Sequence, residues 1–157
     1  MWHETVQKAQ AMFVNHRDVD KGPPEGDPAM VTVLIVDDEF VIAEILSFAL
    51  QEEGVTTIIA GNGFTALEIL DGEWPDLIIT DFMMPGMNGI EMAEAIRTSK
   101  AHGLTPMILM SGAQADLGLA RPDLFVGVVE KPFDIDVIIS KVKAIVGPTD
   151  GNATRQT

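Results

Sequence analysis

Val31-Thr-Val-Leu-Ile-Val-Asp-Asp38 is the stretch on which the fold turns. Its first part is apolar and β-branched, without the polar alternation of a half-exposed strand, so it reads as a strand buried on both faces in the middle of a parallel sheet. Two acids follow at once. Downstream the same unit recurs. Residues 40–53 put Ile42, Ile45, Leu46, Ala49 and Leu50 at helical spacing, and Gly54 supplies the stop. A second strand is expected over residues 55–60, then a short helix capped by Asn62, carrying Ala66, Leu67 and Leu70 and closed by Gly72 and Pro75. The third strand is Asp76-Leu-Ile-Ile-Thr80, with Asp81 where it ends. The loop Met83-Met-Pro-Gly-Met-Asn-Gly89 leads into a helix from Ile90 to about Ser99, and a fourth strand over residues 106–110 precedes Ser111-Gly112. Residues 113–123 are poor helix material, interrupted by Gly118 and ended by Pro122, so two or three turns are the most they support. Residues 125–130 form a fifth strand closed by Lys131-Pro132, and Asp134 caps a last helix through Ile135, Ile138, Val142 and Ile145 to Gly147. Strands alternating with helices in this way imply a three-layer α/β domain, a parallel sheet covered on both faces and joined by right-handed crossovers.

Outside this core the patterning changes. Val6, Ala9, Met12 and Phe13 could give residues 5–16 a weak amphipathic helix, although a disordered or loosely docked extension, or a start-site artefact, is the expected reading, and Lys21-Gly-Pro-Pro-Glu-Gly-Asp-Pro28 then breaks every regular element. The expected organisation is an N-terminal extension and linker over residues 1–29, a domain over 30–147 and a polar tail over 148–157.

Ten basic against 24 acidic side chains leave a formal charge of −14, a surface field that repels nucleic-acid phosphates and anionic lipid headgroups. Direct nucleic-acid or membrane binding is therefore not expected. The chain has no Cys, which excludes disulfides, thiol catalysis and cysteine zinc sites, and His3, His16 and His102 are not spaced as a metal cluster. No apolar run approaches the ~20 residues of a membrane span, and the N-terminus lacks the order of a signal peptide. A soluble, cytoplasmic protein is the expectation.

In parallel sheets of this kind ligands bind at the carboxyl ends of the strands, beside the point where strand order reverses. Asp37 and Asp38 follow the first strand, Asp81 the third, Ser111 the fourth and Lys131 the fifth, so all converge on one edge. Three carboxylates in one crevice repel one another by up to ~4 kcal/mol per pair at 4 Å and an effective dielectric near 20, unless a cation is shared. Oxygen ligands alone select a hard ion, and Mg²⁺, which takes one or two carboxylates and accepts phosphate oxygens, fits phosphoryl chemistry there. Lys131 and the Ser111 hydroxyl would steady the phosphoryl oxygens, and Asp81, alone on its strand, is the natural nucleophile for an aspartyl phosphate.

Leu34-Ile-Val-Asp-Asp-Glu39, Asp76-Leu-Ile-Ile-Thr-Asp-Phe-Met-Met-Pro-Gly-Met-Asn-Gly89, Met107-Ile-Leu-Met-Ser-Gly112 and Glu130-Lys-Pro-Phe133 together resemble a bacterial two-component response-regulator receiver domain. The resemblance covers residues 30–147. It implies a flavodoxin-like (βα)5 fold with strand order 2-1-3-4-5, a phosphoprotein rather than an enzyme, and phosphate accepted on Asp81 from a sensor histidine kinase or a histidine phosphotransfer protein in a phosphorelay. By the same resemblance Asp38, Asp81 and the backbone carbonyl of Met83 ligate Mg²⁺, Asp37 acts mostly through a bound water, and Ser111 and Lys131 read the phosphoryl group.

The pattern also departs from the family. Receivers usually carry Tyr or Phe three residues before the lysine, and Val128 stands there, so the switch is expected to be read out differently; Phe125 and Phe133 are nearby aromatics best read as core. No effector domain is expected after Gly147, which points to a stand-alone receiver signalling through a downstream protein partner. The competing reading is a Mg²⁺-dependent phosphohydrolase with an aspartyl-phosphate intermediate, but such enzymes place a second Asp two residues after the nucleophile, and here that residue is Met83. A receiver-like protein that signals without phosphate is the third reading, weakened because every site residue is present.

Overall fold

The computed structural model describes residues 30–147. The weak helix or loose extension over residues 5–16, the linker behind it and the polar tail lie outside the described residues. Within them the chain runs β1 (Thr32–Val36), α1 (Phe40–Glu52), β2 (Thr56–Ala60), α2 (Gly63–Ile69), β3 (Leu77–Asp81), α3 (Gly89–Arg97), β4 (Met107–Ser111), α4 (Ala115–Leu119), β5 (Gly127–Glu130) and α5 (Ile135–Val146). All strand pairs are parallel, in the order β2-β1-β3-β4-β5. That is the flavodoxin-like arrangement. The chain steps outward from β1 to β2 and then returns to the other side as β3, so strand order reverses between β1 and β3 and opens a crevice at their carboxyl ends.

Successive strand residues point to opposite faces, and the core divides accordingly. Leu34, Val36, Ile78, Met107 and Leu109 face α2 and α3, while Val33, Ile35, Leu77, Ile79, Ile108 and Met110 face α1 and α5. Every residue of β3 and β4 is buried.

The helices are placed by local chemistry. Gly54, at φ 83°, ends the turn after α1 in the left-handed conformation that glycine adopts without strain. The Asn62 side chain caps α2 by accepting from the Thr65 amide at 2.8 Å, and Asp134 caps α5 by accepting from the Asp136 amide at 3.0 Å. Asn88 and Glu91 close a reciprocal capping box on α3, at 2.8 and 3.0 Å, so that helix begins at Gly89 rather than Ile90.

Two strands sit one residue later than the sequence suggests. β3 takes in Asp81 and β4 takes in Ser111, because the ladder continues through the pairs Asp81↔Met110 and Ser111↔Glu130. β5 is shorter than expected: the Phe125 amide bonds the Arg121 carbonyl at 3.1 Å, which assigns Phe125 to the turn after α4. That α4 is short agrees with its sequence, but Gly118 lies inside it and not at a break. A Cβ there would stand 2.5 Å from Leu109 Cδ2 and 3.0 Å from Val128 Cγ2, so glycine lets α4 settle directly on β4 and β5.

Candidate functional site: a carboxylate pocket at the strand ends

Asp37 and Asp38, adjacent in sequence, have opposite surroundings. Asp37 is buried and Asp38 exposed. Asp37 is fixed through its backbone, whose amide bonds the Ala60 carbonyl at 3.1 Å, and through Oδ1, which accepts from the Glu39 amide at 2.8 Å. Across the β1/β3 crevice stands Asp81, the last residue of β3, held by its ladder pairing with Met110 of β4. Carboxylate oxygens of Asp37, Asp38 and Asp81 lie within 4.8 Å of one another.

Lys131 enters from the end of β5. Its amide bonds the Ser111 carbonyl at 2.8 Å, which orients the turn, and its Nζ reaches Asp81 Oδ1 at 2.9 Å. The same ammonium is 3.9 Å from Asp37 Oδ2, close enough for attraction but too far for a hydrogen bond. Asp37 Oδ2 and Ser111 Oγ are accordingly buried atoms with no hydrogen-bond partner among the described residues. Buried polar atoms are nearly always paired, and a group left unpaired costs about 1–3 kcal/mol. Two such atoms at one strand edge mark a site whose polar capacity exceeds what the chain itself uses.

The electrostatics agree. Burial pushes the Asp37 carboxyl up to about 6 from the ordinary 3.8, overcoming the Glu39 N–H bond, with the Asp81 charge adding to the rise. Burial raises Asp81 as well, although the hydrogen bond and charge of Lys131 pull it back. Burial works against the Lys131 ammonium, but the bond to Asp81 and the charges of Asp81, Asp37 and Glu39 together leave it above its ordinary value. The pocket thus holds more negative charge than one lysine neutralises.

Of the residues singled out from sequence, Asp37, Asp38, Asp81 and Lys131 come together, and Ser111 stands at the end of the neighbouring strand. Met83 follows in the loop after β3 with its side chain 62% exposed, and Ala113 is exposed beyond β4. Phe125 is buried on the α2/α3 face, Phe133 packs on the α1/α5 face, and Val128 packs half-buried against the first of these.

Sequence reasoning passed over two residues. Asn88 lines a cleft of about 400 Å³ with Asp38, Phe82, Met83, Met84 and Pro85, and its capping box fixes where the loop rejoins α3. The spacing Asn88-Gly-Ile-Glu91 carried that signal. Gly89 had none: a Cβ there would stand 2.4 Å from the Asp81 carbonyl oxygen, so the start of α3 can lie against the strand end only as glycine. Among the described residues no helix is long and apolar enough to cross a membrane.

Residues 33–143 match the family model of the response regulator receiver domain. Sporulation initiation phosphotransferase F of Bacillus subtilis is 35% identical over 114 residues, covering 71% of this chain and 90% of that protein. The probable transcriptional regulatory protein TcrX of Mycobacterium tuberculosis is 34% identical over 132 residues, covering 80% of this chain and 53% of its own length. The chain therefore spans about half of TcrX, as it spans 49% of the DNA-binding response regulator MtrA. Among solved structures, the response regulator TrrA of Thermotoga maritima, in complex with Mg²⁺-BeF, aligns at TM-score 0.67 and 36% identity over 74% of this chain and 100% of that one. Chemotaxis protein CheY4 of Vibrio cholerae aligns at TM-score 0.68 and 27% identity over 74% and 99%. Fold, motif order and these likenesses agree, and the chain belongs to the response regulator receiver domain family of two-component signalling.

Proposed function

We propose that the chain is a phosphorylatable signalling receiver in which Asp81 accepts a phosphoryl group from a phosphohistidine of a sensor kinase or phosphotransfer protein. The observation that carries this reading is the pairing of Asp81 with Lys131 at 2.9 Å beside two further carboxylates and the unpartnered Ser111 hydroxyl. An Asp81 carboxylate oxygen attacks phosphorus; the new O–P bond forms as the N–P bond breaks, and the imidazole leaves with the electron pair. Lys131 holds Asp81 in place and lies ready to share its charge with the phosphoryl oxygens, while the Ser111 hydroxyl donates to one of them.

The pocket suits Mg²⁺: its donors are all oxygen, they carry excess negative charge, and one of them, Asp37 Oδ2, is buried without a hydrogen bond. Asp38, Asp81 and the Met83 carbonyl would hold the ion, with Asp37 acting through a water. Bound there, Mg²⁺ supplies the positive charge that lets an anionic phosphoryl group approach a cluster of acids. A formal charge of −14 favours output through a protein partner rather than nucleic acid, in the cytoplasm where such kinases deliver phosphate.

Mass spectrometry after incubation with acetyl phosphate and Mg²⁺ tests the reading. One added phosphoryl group is expected on the wild type and none on Asp81→Asn; undiminished labelling of the variant overturns the assignment.

A further inference from the structure

The methionines of the sheet domain are unequally sheltered. Met84, Met87, Met92, Met107 and Met110 are buried, whereas Met30 is 55% exposed and Met83 62%. Met30 stands before β1, at the amino edge of the sheet and away from the strand-end carboxylates. Met83 is placed otherwise. It lines a cleft with Asp38, and Asp38 carries one of the three carboxylates clustered within 4.8 Å. Asp37 and Asp81 are buried while Asp38 is exposed, so the way from the cluster to solvent runs past Asp38 and along this cleft. The cleft is poor in hydrogen-bond acceptors. Phe82, Met84 and Pro85 are apolar, the Met83 thioether accepts only weakly, and Asn88 Oδ1 is spent on the Glu91 amide at 2.8 Å. Only the Asp38 carboxylate remains among its side chains, and that group serves the cation site.

We propose that Met83 is an oxidation site through which peroxide shortens the life of the phosphorylated state, an inference that rests on Asp81 as the phosphoacceptor. The exposed sulfur attacks one oxygen of hydrogen peroxide. The S–O bond forms as the O–O bond breaks; sulfur gives up two electrons, and the departing hydroxide takes the remaining proton and leaves as water. The product, a methionine sulfoxide, keeps the length of the side chain but turns a flexible apolar group into a polar one with a strong acceptor oxygen. That oxygen supplies what the cleft lacks. It accepts a hydrogen bond from an entering water and holds it for attack on phosphorus opposite the Asp81 oxygen, and positioning is most of what such a displacement needs. The water oxygen bonds to phosphorus as the Asp81 O–P bond breaks, the carboxylate leaves with the electron pair, and the water's proton passes to solvent. Reduced Met83 therefore preserves the signal and oxidised Met83 curtails it. The neighbouring Met84, only 8% exposed, is kept from the same reaction by its burial in the core.

Two measurements on the full-length chain test this, and the absence of Cys keeps both free of thiol oxidation. After graded hydrogen peroxide and digestion, peptide mass spectrometry should find sulfoxide at Met83 and Met30 well before Met84, Met87, Met92, Met107 or Met110. A Met83 that oxidises no faster than the buried five overturns the site. Chain oxidised at Met83, freed of peroxide and then phosphorylated with acetyl phosphate, should lose phosphate several-fold faster than untreated chain at the same Mg²⁺. Met83→Leu, which has no sulfur there, should decay at one rate with or without peroxide, although Met30 is oxidised in it as well. Equal or slower decay of the oxidised wild type, or the same acceleration in Met83→Leu, overturns the inference. Failure of the untreated chain to take up phosphate is a different result: it removes Asp81 as the acceptor, and the inference falls with it.

Discussion

Arg97 and Lys131 are both long cations drawn partly out of water, and they are treated in opposite ways. Arg97, at the end of α3, gives its guanidinium to backbone carbonyls alone: Nη1 to Gly103 at 3.1 Å and Thr105 at 2.6 Å, Nη2 to Leu124 at 2.7 Å, and Nε to Asp123 at 3.2 Å. Burial lowers its pKa, yet its donors are spent and the loops before β4 and β5 are knotted to α3. Lys131, at the opposite edge of the sheet, faces carboxylates that it does not balance, next to buried oxygens without partners. The first is a closed account of charge and hydrogen bonds and therefore structural. The second is open, and an open arrangement is what a site that exchanges ligands requires.

Substitution at the two cations should separate them most strongly. Arg97→Met strands four carbonyls and is expected to remove about 3–4 kcal/mol of stability in denaturant unfolding, while labelling of Asp81 persists in the folded protein. Lys131→Met, measured in EDTA, should cost about 1 kcal/mol and yet impair labelling. Equal losses of stability would break the distinction.

The next effect is in pH. Native Asp37, at about 6, keeps a proton that the unfolded chain releases near 3.8, so its contribution to stability is full below pH 4 and lost as pH rises through 6. In EDTA, Asp37→Asn should therefore gain on the wild type between pH 4 and 7, by up to about 3 kcal/mol. A gap that is flat or closes with rising pH refutes the electrostatic half of the comparison.

Mg²⁺ should then complete the open site. At 100 times its dissociation constant it adds about 2.7 kcal/mol, visible as a higher melting temperature in wild type and much reduced in Asp38→Ala. An equal shift in both proteins would place the ion elsewhere.

The smallest expected effect is kinetic. The Met83 thioether and the Ala113 methyl offer little to orient an attacking water, so the phosphorylated protein should be long-lived. Met83→Asn is expected to speed loss of phosphate several-fold, about 1 kcal/mol of barrier, with Mg²⁺ affinity nearly unchanged. Equal or slower decay means the side chain does not limit hydrolysis.

How much of this was legible beforehand follows from where the information lies. The buried strands and the acids at their ends could be read because an unbroken apolar run and a strand-terminal Asp are local signals. The register that brings Asp81 and Ser111 inside their strands could not, since it is set by partners on neighbouring strands. Nor could the difference between Asp37 and Asp38, which arises from which side of the β1 end each faces. Gly118 looked like a helix breaker until Leu109 and Val128 were seen to lie where its Cβ would be. Arg97 carried no signal at all, because its partners are carbonyls, which every residue has.

The Arg97 knot has a further consequence for where the molecule can move. Segments joining helices to strands are normally the first to open, but amides such as those of Phe125 and Val126, bonded to Arg121 and Met107 within this tied region, should exchange with solvent as slowly as the sheet itself. At the other edge, Met83, Pro85 and Gly86 are exposed in a loop whose Met84 and Met87 are buried in the core. Hydrogen exchange should therefore divide the molecule along the strand axis: one rim as still as the core, the other with its motion concentrated beside Asp81. Any rearrangement of α3 would then swing about its Arg97 end, like a door on its hinge post.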